Sequence, residues 1–137
     1  MAEESKKMTP GTIIWNEIPC LDLERIQTFY STVFGWTSNP TGNPNVSLFN
    51  KESTNGSFVK LTTENFLSPA IHPDNPSKER LSVRITINVE SVDEALKEVE
   101  RAGGALYIAK KEIPGDMGFV AYFTDTEKNV MGLWSKK

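Results

Sequence analysis

The stretch "DLERIQTFYSTVFGW", residues 22–36, decides how the chain is read. Leu23, Ile26, Tyr30, Val33 and Phe34 fall near helical spacing, so a helix here would have one apolar face to bury. Asp22 precedes the run and suits an N-cap, because its carboxylate can accept from the free amides of the first turn. Gly35 suits the stop, since glycine takes the left-handed conformation at low cost. Phe29, Tyr30, Phe34 and Trp36 then read as packing between helix and sheet. Upstream, "GTIIWNEIPC" (11–20) reads as a strand over Thr12–Ile18, ended with the help of Pro19, which has no amide to donate. Trp15 and Glu17 share one face of it by alternation. Downstream, Pro40, Gly42 and Pro44 punctuate a loop. Residues 45–50 read as a short strand, "STNG" (53–56) as a turn, and 57–63 as an alternating strand.

The same order recurs in the second half. Residues 81–89 alternate as a strand, and Ser91 with Glu94 makes a capping box. Val92, Ala95, Leu96, Val99 and Ala102 form an apolar stripe that Gly103-Gly104 ends. Residues 105–109, 119–124 and 129–135 read as three strands, and Asp125 and Asn129 shape the last hairpin through side-chain-to-backbone bonds. At a constant offset Trp15 matches Arg84, Asp22 matches Ser91 and Gly35 matches Gly104, while "VKLT" (59–62) aligns with "MGLW" (131–134). The chain therefore reads as an α+β protein of two βαβββ modules, 11–63 and 81–137. A proline-rich linker, 64–80, joins them in a single domain, 11–137, behind a polar lead-in, 1–10.

Composition removes several classes of function. The 137 residues are 38% hydrophobic and 24% charged with a formal charge of −3, so no basic face for nucleic acid is expected. Cys20 is the one cysteine; no intrachain disulfide forms, and the residue reads as an inert small side chain. The start is polar and no apolar run reaches the length of a membrane span, which predicts a cytoplasmic protein without a membrane partner. The single histidine, His72, falls in the linker.

Residues 22–36, 91–104 and 112–134 together resemble the helix and C-terminal motifs of the vicinal oxygen chelate superfamily, which includes glyoxalase I, the bleomycin-resistance proteins and the extradiol dioxygenases. One departure stands out. Where that family has a D-P-x-G-N turn, this chain has Asp125-Thr126-Glu127-Lys128-Asn129. The resemblance implies sheets that curl into a cleft with the helices packed outside, and a homodimer. The family's four metal-ligand positions fall on Trp15, Lys60, Arg84 and Gly132. Indole offers only a donor, glycine has no side chain, and charged lysine and arginine have no acceptor. No metal and no other cofactor are therefore expected, nor the usual glyoxalase I or ring-cleaving activity.

On this reading the cleft face collects Trp15, Glu17, Phe58, Lys60, Arg84, Thr86, Gly132 and Trp134. One acid and two bases among aromatic rings suit a small oxygenated molecule carrying an aromatic ring or a carboxylate. The leading expectation is a metal-independent enzyme of isomerase, lyase or cyclase type. Glu17 would move the proton, Lys60 and Arg84 would stabilise the oxyanion, and Trp15, Phe58, Thr86, Gly132 and Trp134 would hold the ligand, Gly132 by leaving room. The alternative is a binding or sequestration protein without catalysis. A third reading fills the cleft with Trp15 and Trp134 and leaves Glu17 in an ion pair with Lys60 or Arg84. Tyr107 and Tyr122 fit either cleft or core.

Overall fold

The computed structural model describes residues 9–62 and 83–137; the linker 64–80 with His72, and the first part of the strand expected at 81–89, lie outside them. The first module runs β1 (Asn16–Cys20), α1 (Leu23–Phe34), β2 (Thr37–Pro40), β3 (Val46–Lys51) and β4 (Thr54–Lys60). The second runs β5 (Thr86–Asn88), α2 (Val92–Arg101), β6 (Ala105–Glu112), β7 (Phe119–Thr124) and β8 (Val130–Ser135). Each module forms a four-stranded mixed sheet with the same topology, β1-β4-β3-β2 and β5-β8-β7-β6, the first pair of each being parallel. The result is an α+β fold of two repeated modules.

Both helices begin and end where their capping chemistry places them. The Asp22 side chain accepts from the Arg25 amide, and the Ser91 side chain from the Glu94 amide. Gly35 takes φ 71 and donates its amide to the Ser31 carbonyl. Lys51, on β3, donates to the Phe34 carbonyl at 3.0 Å and so places a cation at the C-terminus of α1. Replacing Lys51 by Met is expected to cost about 0.5–1.5 kcal/mol, read as a lower urea midpoint at unchanged slope. An unchanged midpoint would show that water serves the helix end equally well.

Several strand expectations need correction: of the described part of 81–89 only Thr86–Asn88 is strand, and β6 runs past the expected 109 to Glu112. β1 begins later than expected and runs through Pro19 to Cys20. Pro19 sits on a strand paired on one side only, so its missing donor breaks no ladder bond. The polar segment Thr37–Pro40 is an edge strand rather than loop, and it supplies the fourth strand that the βαβββ repeat requires of the first module. The β3–β4 turn is Glu52-Ser53, with Lys51 paired to Thr54, so Asn55-Gly56 lies inside β4. Gly56 is there because a Cβ would stand 2.1 Å from the Asn16 carbonyl oxygen and 2.3 Å from the Phe49 ring.

One core joins the helices to both sheets. Tyr30 stacks on Trp36 (centroids 4.6 Å apart) and Phe58 (5.6 Å), and Phe49 lies against both Trp36 (4.6 Å) and Phe58 (4.7 Å). Phe29 and Phe34 of α1 reach Phe123 of β7, so the first module's helix also packs on the second module's sheet. Val92 and Val99 of α2 are fully buried in the same cluster. The packing roles expected for Phe29, Tyr30, Phe34 and Trp36 are those observed. Each sheet thus turns one face to the helices and leaves the other free of them.

A polar clasp also crosses between the modules. The Glu127 carboxylate accepts from the amides of Leu21 (2.9 Å) and Asp22 (3.1 Å) and from the Arg25 guanidinium at 2.6 and 2.8 Å. Tyr30 donates its hydroxyl to Asp125 at 2.8 Å, and the Asn129 side chain donates to the Pro19 carbonyl at 2.9 Å. Asp125 accepts from the amides of Glu127 and Asn129, as expected of a hairpin organiser. The tether through Glu127 was not foreseen. It stands where this chain departs from the family's turn.

Candidate functional site

The residues expected in one cleft divide between the two helix-free faces, and two of them leave it. In the second module Thr86 pairs with Gly132, and Asn88 with Trp134, which places these side chains on the helix-free face beside Tyr122. Arg84 enters that face ahead of β5. Its guanidinium carbon lies 5.1 Å from the Tyr122 ring centroid and 5.7 Å from that of Tyr107. The open choice for the two tyrosines is thereby settled toward this face.

In the first module Glu17 pairs with Ser57, and Trp15 donates its indole N–H to the Ser57 hydroxyl at 3.4 Å. Glu17 is exposed and Trp15 is 46% exposed. Phe58 and Lys60 do not join them. Phe58 pairs with the buried Ile18, is 0% exposed and stacks in the helix-side core, so it is not a cleft residue. Lys60 pairs with Cys20, on the opposite side of β4 from Ser57. The error has a simple origin. Glu17 pairs with Ser57 as Thr86 pairs with Gly132, so the partner of Gly132 in the repeat is Ser57, three residues before Lys60. A slip by an odd number moves every side chain to the other face.

Two further expectations change. Gly132 does not open space for a ligand, because a Cβ there would meet the Thr86 hydroxyl at 2.6 Å and the Tyr122 ring at 3.2 Å. Trp134 is partly buried and donates its indole N–H to the Met117 carbonyl at 2.8 Å, so the β6–β7 loop holds the ring in place. Trp15 and Trp134 are each held by a different polar partner, on different sheets, rather than forming a common plug.

The corrected register leaves the four family metal positions on Trp15, Ser57, Arg84 and Gly132. This set contains neither a carboxylate nor an imidazole, so it does not fit a divalent ion. Among the described residues no cluster of three or more His, Cys, Asp or Glu is suited to one. Cys20 is fully buried, and burial, followed by Glu127, Asp125 and Asp22, pushes its thiol up to about 12. It stays protonated and is not a nucleophile at neutral pH. Among the described residues, no helix is long and apolar enough to cross a membrane.

Comparison with known proteins agrees with this architecture. A family model described as bleomycin resistance protein-like N-terminal matches residues 12–50. The anthracycline biosynthesis protein DnrV of Streptomyces peucetius is 23% identical over 135 residues, which is 95% of this chain and 49% of that protein. The chain thus spans about half the length of that relative. A glyoxalase/bleomycin resistance protein/dioxygenase family enzyme from Burkholderia phytofirmans has the same fold, with a TM-score of 0.70 at 18% identity over 90% of this chain and 98% of that one. So does TnmS3, an antibiotic binding protein from Streptomyces, with a TM-score of 0.65 at 17% identity over 94% and 98%. These matches show that the chain shares the fold of glyoxalase and bleomycin-resistance proteins, in keeping with the resemblance of its motifs to the vicinal oxygen chelate superfamily.

Proposed function

We propose that this protein binds a small oxygenated aromatic molecule through an oxyanion, without a metal and without turning it over. The observation that carries the reading is Arg84, set between the rings of Tyr107 and Tyr122 on a sheet face free of helices. A guanidinium so placed offers its planar fork to a phenolate, enolate or carboxylate, and the tyrosine rings offer flat surface to the rest of the ligand. Similar proteins named for anthracycline biosynthesis (DnrV) and antibiotic binding (TnmS3) fit a ligand of this kind. The proton-transfer enzyme expected from the sequence loses part of its support, since Lys60 and Glu17 occupy opposite faces of the first sheet. The apolar side chains at the entries to β1 and β5, Ile13 (82% exposed), Ile14 and Val83 (90% exposed), favour a homodimer that would cover them.

The test is a fluorescence titration with a hydroxyanthraquinone carboxylate, before and after dialysis against a chelator. Binding is expected to survive the chelator and to weaken about 10- to 100-fold in Arg84→Gln, the loss of a charge-assisted contact. Metal-dependent binding would overturn the reading. So would equal affinity in the variant, or product formation at a rate that Glu17→Gln abolishes.

A further inference from the structure

A cavity of about 710 Å³ is walled by both modules. The first module contributes Val33 and Phe34 at the end of α1, then Trp36 and the β3–β4 turn at 51–54. The second contributes residues 86–90, which are β5 and what directly follows it. Successive residues of a strand point to opposite faces, yet all of these line the cavity, so it borders the edge of β5 rather than one face. That edge is open. β5 pairs only with β8; the Gly132 amide donates to the Ile85 carbonyl, and the Val89 amide donates to the Trp134 carbonyl. Main-chain groups alternate in direction along a strand, so those of Thr86 and Asn88 point away from β8, toward the cavity.

An open strand edge beside a cavity is a template for one more strand. The charge of the cavity says which kind. Glu52 and Glu90, one from each module, both line it; both are exposed, and among the described residues neither forms an ion pair or accepts a hydrogen bond. Lys51 lines it too, but donates to the Phe34 carbonyl at 3.0 Å, so its charge serves the end of α1. The cavity is net negative, with Val33, Phe34 and Trp36 as its apolar wall. We infer that β5 takes an extended basic peptide of about five residues as an added strand, its basic side chains set against Glu52 and Glu90. The strand edges of a second copy match less well. β1 brings Glu17, a like charge, β2 brings no charge, and on β6 Lys110 is already committed to Asp93 at 2.9 Å. This site does not depend on the ligand read at Arg84.

The experiment uses three pentapeptides blocked at both ends: one of alternating valine and lysine, the same with glutamate for lysine, and the lysine peptide N-methylated along its backbone. The full chain is expected to bind the first about 10-fold more tightly than either of the others, with NMR amide shifts at Thr86 and Asn88. The double variant Glu52→Gln, Glu90→Gln should erase the preference for lysine over glutamate and keep the loss on N-methylation. Added salt should shrink the lysine preference in the wild type. Equal binding of the N-methylated peptide, or shifts confined to residues away from β5, overturns the added strand. A lysine preference that survives the double variant overturns the role of the two acids, and with it the proposal. Failure of all three peptides to bind overturns it outright. Binding that appears only as dilution separates dimers assigns the edge to a second copy and overturns it as well.

Discussion

Glu127→Ala is expected to destabilise the protein by about 2–4 kcal/mol, the cost of stripping a buried carboxylate from several donors at once. The Glu127 side chain is fully buried, whereas its partner Arg25 keeps 48% of its side chain exposed. Arg25 therefore returns to water at little cost when the pair is broken. The amides of Leu21 and Asp22 lose their acceptor at the entry to α1, and that is where most of the penalty falls. For a chain of this length the melting temperature should drop by about 10 °C. Glu127→Gln keeps an acceptor but not the charge, and should recover about half of the loss.

The pH dependence separates charge from shape. Burial pushes the Glu127 carboxyl up, but the Arg25 guanidinium and the Leu21 amide outweigh it, and the group is held below its usual value of 4.5. Its contribution is therefore complete above that value and lost as the pH falls through the lower, folded one. Asp125 runs the other way. Burial raises it, against the hydrogen bonds from Asn129 and Tyr30, so its contribution is greatest in acid and is lost as the pH rises through its folded value. The wild type should thus lose stability in acid more steeply than Glu127→Gln. Parallel acid curves, or an alanine variant melting within a degree of the wild type, would show that the clasp contributes nothing to holding the modules together.

This clasp also marks the limit of what was legible in the chain. The helices, their caps and the repeated module were readable, because Asp22, Gly35 and Ser91 act locally and their chemistry is independent of distant residues. The polar edge strand Thr37–Pro40 was not, since it follows the periodicity of neither a buried strand nor a helix. Arg84, Thr86, Gly132 and Trp134 were placed on a common face correctly, through alternation on two strands whose register the family motif pins. Lys60 and Phe58 were misplaced because β4 has no such marker. Its Asn55-Gly56 imitates a hairpin turn, and the true turn at Glu52-Ser53, with Glu52 at φ 54, carries no glycine. Glu127 was missed for a different reason. Its partners Leu21, Asp22 and Arg25 lie more than a hundred residues away, and only the unusual residue in the family turn hinted at a role.

Phe58→Ala is expected to have the largest effect of all, about 3–5 kcal/mol, because the ring is fully enclosed and nothing nearby can fill its place. Tyr30 and Phe49 would each lose an aromatic neighbour, at 5.6 and 4.7 Å. The main loss is still burial and the cavity left behind, which the stiff rings of Trp36 and Phe49 cannot close. A loss of that size approaches the whole stability of an ordinary domain, so the alanine variant is expected to be largely unfolded near 37 °C. Phe58→Leu, which keeps most of the volume, should lose roughly 1–2 kcal/mol and remain folded at 25 °C. That variant tests which face the ring occupies. A core residue changes denaturant midpoint and not affinity, so Phe58→Leu should bind the hydroxyanthraquinone within about 2-fold of the wild type while unfolding at lower urea. A cleft residue would do the reverse. Unchanged stability with binding weakened 10-fold or more would return Phe58 to the ligand face and restore the three-residue slip between Ser57 and Lys60 as the true register.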